Sequence, residues 1–143
     1  MKTRYKFLIG IGIIIIAVAG LNYYSYKNYT VKQKERIELF FKFNYNNIDS
    51  LTFTETKKNS MGSLDFYGYF NSDKSNRFIG SVMPYQKEFE GDIVINGTFD
   101  TENAKFENGE MYDVSEIEKI QRKERREKRA ESSDSPEASG VND

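Results

Sequence analysis

Glu88, Glu90 and Asp92 alternate around Gly91, and three carboxylates so close together could donate oxygens to a calcium ion. Their spacing matches no calcium loop. Alternate acidic residues ahead of a strand pattern read instead as a solvated turn, so no metal site is assigned. The 143 residues include no histidine and no cysteine. This excludes a Ser-His-Asp triad, imidazole and thiolate metal sites, cysteine nucleophiles and disulfides. Paired carboxylates for glycoside or general acid–base work need a cleft, and a small domain with a single sheet has little room for one. The expectation is a protein that is not an enzyme and carries no cofactor.

Recognition chemistry is better represented. Tyr67 and Tyr69 fall on one face of a strand pattern, together with Thr52, Thr54, Ile79 and Val94. An aromatic, uncharged sheet face suits contact with another protein, and it is equally what a face covered by the C-terminal segment would look like. Leu39 and Phe43, four residues apart on a helical pattern, lie off its main apolar stripe. A later segment, a partner or a lipid surface must cover them. Arg122, Lys123, Arg125, Arg126, Lys128 and Arg129 stand against only Glu124 and Glu127. Such a block contacts a polyanion, either lipid head groups or an anionic wall polymer, or is a solvated helix offset by the acidic tail. General nucleic-acid binding is not expected, because 21 basic side chains face 22 acidic ones for a net charge of −1.

The elements that must position these residues begin with an apolar run. From Phe7 to Leu21 no side chain is charged or strongly polar, behind the basic Lys2, Arg4 and Lys6. With Asn22, Tyr23 and Tyr24 the run makes about 18 helical residues, or ~27 Å, just enough for a bilayer core. Tyr23, Tyr24 and Tyr26 then fall at one membrane interface. We read residues 1–29 as a signal-anchor, with its N-terminus cytoplasmic and the rest of the chain extracytoplasmic. A cleavable signal ending at Ala19 is the main competitor. Lipoprotein anchoring is excluded, since Leu21 stands where the lipid-bearing cysteine would be.

Residues 30–120 read as an α+β domain. Thr30 and Gln33 match a capping box, although one continuous helix running out of the bilayer fits equally well. Ile37, Phe40, Phe41, Asn44 and Ile48 repeat at helical spacing. Thereafter the period becomes two. Leu51 and Phe53 open a first strand; Leu64, Phe66, Gly68 and Phe70 line one face of a second; Phe78, Gly80 and Val82 line a third; Ile93, Ile95, Gly97 and Phe99 line a fourth. Polar turns at Asn59–Ser63, with Gly62 suited to a positive φ, and at Asn71–Asn76 join them. The expected product is one helix packed on a four-stranded antiparallel meander, a cystatin-like layout. Asp113 and Ser115 start a last helix that docks through Ile117 and Ile120, and residues 121–143 follow as its charged continuation and a tail. The tail from Ser132, with Pro136 and Gly140, reads as disordered.

Arg36–Tyr45, Leu51–Glu55, the Asn59-Ser60-Met61-Gly62-Ser63 turn and Gly68-Tyr69-Phe70-Asn71 together carry a family pattern. Over Val31 to Ile120 the chain resembles DUF1433, a family of small membrane-anchored or lipid-anchored Gram-positive proteins of unknown function. Members commonly have Pro where Ser60 stands and a lipid-attachment cysteine where Leu21 stands. The resemblance implies a fold and a location and adds no mechanism. The expected role is a membrane-anchored extracytoplasmic binding module that captures another protein, as an inhibitor or immunity factor. The alternative is a structural envelope protein that contacts anionic lipid or wall polymer through its basic helix.

Overall fold

Without Pro or Gly between Leu21 and Asn44, nothing in the chain stops a helix once it has started. The computed structural model accordingly contains one uninterrupted helix, α1 (Lys2–Asn44), about 65 Å long at ~1.5 Å per residue. The structure describes residues 2–96, 99–105 and 110–133; the side chains of 2–12, Thr101 and Ser133 are outside the described set. The expected disorder beyond Ser133, with Pro136 and Gly140, therefore lies outside the described residues, as does Gly97 of the fourth strand pattern. Thr30 is not a cap. It sits inside α1, where its hydroxyl donates to the Lys27 carbonyl at 2.8 Å, while Gln33 is fully buried. Of the two routes into the domain that the pattern allows, the continuous helix is the one formed. Both expected domain limits, 29/30 and 120/121, fall within helices.

Four strands follow, β1 (Leu51–Lys58), β2 (Leu64–Phe70), β3 (Arg77–Val82) and β4 (Ile93–Ile95), paired antiparallel in the order β1-β2-β3-β4. The meander is as expected, and its turns use the local chemistry the residues supply. Gly62 has φ +89°, and the Asn59 side-chain oxygen accepts from the Met61 and Ser63 amides. Asn71 and Ser72 take positive φ in the second turn, where Asp73 accepts from the Ser75 amide and hydroxyl. The fourth strand is shorter than its pattern. β4 ends at Ile95, and Phe99 instead opens a short helix, α2 (Phe99–Asn103), where its ring stacks on Phe70 at 4.6 Å. That stacking brings Phe99 into the buried core cluster.

The core lies between α1 and the sheet and is mostly phenylalanine. Ile37, Phe40 and Phe41 from the helix meet Phe66, Phe70 and Phe78 from β2 and β3. Phe41 contacts Phe70 at 4.9 Å and Phe78 at 5.0 Å. Gly68 is required where it is: a Cβ there would come within 2.5 Å of both the Thr52 carbonyl and the Phe78 ring. Ile48 lies beyond the end of α1 and is half-buried against the same core.

The last element, α3 (Val114–Ser133), begins with a reciprocal cap. The Glu116 amide donates to the Asp113 carboxylate at 2.8 Å, and the Asp113 amide donates to Glu116 at 3.1 Å. Val114 and Ile117 are fully buried and Ile120 half-buried, so the expected docking is realised. From Arg122 to Ser132 every side chain is exposed.

Candidate functional site

On β2 the alternation of side chains puts Phe66, Gly68 and Phe70 toward α1 and leaves Asp65, Tyr67 and Tyr69 on the far side. The pairing register then decides the neighbours of the two tyrosines. Tyr67 stands opposite Ile79 of β3, which stands opposite Val94 of β4; Tyr69 stands opposite Thr52 of β1 and Arg77 of β3. A bulge at Thr54 moves Glu55, rather than Thr54, opposite Tyr67. The result is a recess of about 620 Å³ across the outer face, whose walls include Thr54, Glu55, Tyr67, Tyr69, Arg77 and Ile79. Lys74, Val94 and Asn96 complete its rim.

The structure thus brings Tyr67, Tyr69, Thr54, Ile79 and Val94 together as the alternation predicts, and corrects one property. The face is aromatic but not uncharged. Glu55, Lys74 and Arg77 belong to it, and Glu55 also holds Lys57 at 2.8 Å. Glu55 enters only through the bulge and Lys74 from the second turn, so a strict period of two did not reveal them; Arg77 opens β3 two residues before Ile79 and shares its face by the same alternation. Of the two readings of this face, cover by the C-terminal segment is not supplied by its described part: α3 packs on α1, on the other side of the sheet, and residues 134–143 lie outside the described residues.

Leu39 and Phe43 do not join Tyr67 and Tyr69. Both are half-buried and pack against the core, and the Phe43 ring meets Tyr112 edge-on at 5.7 Å. Of the three covers the sequence allowed, a later segment supplies this one. The neighbouring Asn44 is fully buried and ties the same segment down. It donates to the Tyr112 carbonyl at 2.9 Å and accepts from the Tyr112 amide at 3.0 Å.

A centre that the residue pattern did not reveal surrounds Arg36. Its side chain is only 7% exposed, yet its guanidinium reaches three carboxylates. One η nitrogen meets Glu90 at 2.7 Å; the other meets Glu118 at 2.7 Å and Glu88 at 3.2 Å; Nε donates to the Phe89 carbonyl at 2.9 Å. Glu90 also accepts from the Ser115 amide and hydroxyl, and Glu88 pairs with Lys32. The fork geometry of one guanidinium therefore joins α1, the 88–90 loop and the start of α3. The acidic cluster considered for calcium is consumed here. Asp92 separately accepts from Gln86 at 2.7 Å. Among the described residues no group of three His, Cys, Asp or Glu side chains is arranged to hold a metal ion. Lys32, by hydrogen bond and charge, and Arg36 hold the Glu88 carboxyl below its ordinary pKa. On the opposite flank burial and the Asp100 carboxylate, 2.5 Å from its hydroxyl, push the Tyr45 pKa far up.

The basic block divides by helix geometry. Arg122, Arg125, Arg126 and Arg129 recur at the i, i+3, i+4, i+7 spacing and line one shallow recess of about 230 Å³. Lys123 turns toward Glu127, 3.9 Å away, and Lys128 is exposed.

Tyr29 is where α1 first meets the domain, its hydroxyl donating to the Lys87 carbonyl at 3.2 Å, and Ile120 is near the point where α3 leaves it. No curated protein and no solved structure matches the chain. The family described as protein of unknown function (DUF1433) matches residues 29–120, the stretch between those two points, and the chain belongs to that family.

Proposed function

We propose that this protein is a membrane-anchored binding module whose outer sheet face captures another protein without chemistry on it. The observation that carries this reading is the open recess around Tyr67 and Tyr69, where two half-buried aromatic rings are framed by Glu55, Lys74 and Arg77. Aromatic anchors surrounded by polar and charged groups are the usual composition of protein contact sites. Inhibition of the captured protein, or immunity against it, is the use proposed for such capture.

Anchoring in the cell membrane, with the domain extracytoplasmic, belongs to the same proposal. Among the described residues no helix is long and apolar enough to cross a membrane. The apolar run from Phe7 to Leu21 includes residues whose side chains are outside that set, and its described part supports the reading. Ile13 to Ile16, Val18 and Leu21 are all more than half exposed, on every side of α1. An apolar surface that no described part of the domain covers calls for lipid or an equivalent apolar environment.

A photo-crosslinking residue at position 67, in the full chain expressed in cells, tests the capture surface. An adduct of one defined mass from position 67, absent when the same residue is placed at Met61, is the expected result. No adduct from position 67, or equal labelling from both, overturns it. Protease added to wall-stripped cells tests the topology: loss of the domain is expected, and full protection reverses the orientation.

A further inference from the structure

Tyr112, just ahead of α3, is held by Asn44 at the C-terminal end of α1. Six residues later, Glu118 is held by Arg36, eight residues back along α1. The two helices therefore run antiparallel, and α3 heads toward the N-terminal half of α1. Continued alongside α1 at ~1.5 Å per residue from the Glu118–Arg36 contact, α3 would bring Arg125 to Arg129 level with roughly residues 25 to 29. That is the end of the exposed apolar segment, beside Tyr24 and Tyr26, whose rings are themselves exposed.

We infer that the face formed by Arg122, Arg125, Arg126 and Arg129 binds the phosphates of anionic lipid head groups in the membrane that holds α1. The inference rests on the anchoring reading and adds a second contact to it. Three observations favour a lipid surface over a soluble polyanion. The four guanidiniums lie on one stripe, so a plane can meet them together. Among the described residues no carboxylate pairs with any of the four, so their charge is available. The helix bearing them points along α1 toward the aromatic residues expected at the membrane interface, and its base is fixed to α1 by the buried Arg36. Guanidinium suits the task because its planar fork bonds phosphate oxygens in pairs. Attraction to an anionic surface acts only within about a Debye length, ~10 Å, so a stripe directed toward the anchor is one whose charge can become effective.

The chain has no cysteine, so a single Ser132→Cys substitution gives one labelling site near the end of the stripe. The full-length labelled chain is reconstituted in vesicles of phosphatidylcholine alone, or with added phosphatidylglycerol. Flotation reports anchoring, and quenching by lipids spin-labelled at the head group reports docking of α3. The expected result is flotation with both vesicles and quenching only with phosphatidylglycerol. Quenching should be lost when the four arginines become Gln, and in high salt, with each arginine changing the docking equilibrium about fivefold. Flotation with equal quenching in both vesicles overturns the inference and leaves the anchor standing. A label that responds to soluble polyphosphate but not to phosphatidylglycerol vesicles overturns it in favour of a free polymer. Flotation with neither vesicle overturns the anchor and the inference together. Flotation with phosphatidylglycerol alone overturns the anchor, and with it the claim that one membrane holds both α1 and the arginine stripe.

Discussion

The two faces of β2 are built from alternate residues of one seven-residue strand, and they serve opposite ends. Phe66 and Phe70 are completely buried against α1, where rings from three elements meet. Tyr67 and Tyr69, one peptide away, are half-buried beside Glu55 and Arg77 on a face that no helix covers among the described residues. Aromatic content is the same on both faces. The difference lies in what stands opposite: α1 presents Ile37, Phe40 and Phe41 to one side, while solvent and long charged side chains meet the other. An aromatic residue here stabilises the domain or offers a contact surface according to its parity along the strand, because the pleat sends neighbours in opposite directions.

That contrast can be broken from the core side first. Phe70→Ala removes a ring stacked on both Phe78 and Phe99 and should cost about 3–5 kcal/mol, enough to unfold much of a domain this small. Thermal melts of the full chain in detergent will read it. A small shift in melting temperature would mean that the helix-side rings do not carry the fold.

Arg36→Met is next, at about 2 kcal/mol. Removing one partner of a buried ion pair strands the others, but the three carboxylates are each a third or more exposed and recover some hydration. The same melt, with limited proteolysis at α3, should show α3 released before the sheet unfolds. Cooperative loss of both together would instead place the Arg36 centre inside the core's folding unit.

Acid should weaken the same centre more gently. Because Lys32 and Arg36 depress the Glu88 pKa in the folded chain, the folded state binds fewer protons there than the unfolded state. The stability it contributes is present above its ordinary value of 4.5 and is lost as pH falls below that through the lowered folded value. Lys32→Met should flatten this acid dependence of the melting temperature; an unchanged slope would assign it to other carboxylates.

The smallest effect sharpens the comparison. Tyr67→Ser with Tyr69→Ser should change stability by less than about 1 kcal/mol per position, since outward sheet pairs contribute only that much. Crosslinking to a partner, however, should be lost when the surviving tyrosine of each single variant carries the probe. A double variant as unstable as Phe70→Ala would make the tyrosines core residues and remove the binding face.

A similar contrast separates the arginines. Arg36 is enclosed by three carboxylates, whereas Arg122, Arg125, Arg126 and Arg129 face outward with no acidic partner among the described residues. Nothing in the residue type announces which arginine will be structural. The block at 122–129 was conspicuous because its charge is concentrated in sequence. Arg36 was not, because its partners at Glu88, Glu90 and Glu118 lie 52 to 82 residues further along.

What the sequence determined by itself is what rests on neighbours in the chain. The alternation of β2 and β3, the positive φ at Gly62, the phenylalanine stripe of α1 and the cap at Asp113 all follow from periodicity and from bonds spanning a few residues. The tertiary structure alone decided three further things. It bulged β1 at Thr54, which set Glu55 opposite Tyr67 and gave the recess its charge. It folded the 88–90 loop and α3 around Arg36 and so consumed the acidic cluster. It turned α3 back along α1, which sets the direction in which the arginine stripe points. Each depends on which distant segments come to share one volume, and no periodicity encodes that, because burial of a charge or closure of a core is settled only when all the partners have arrived.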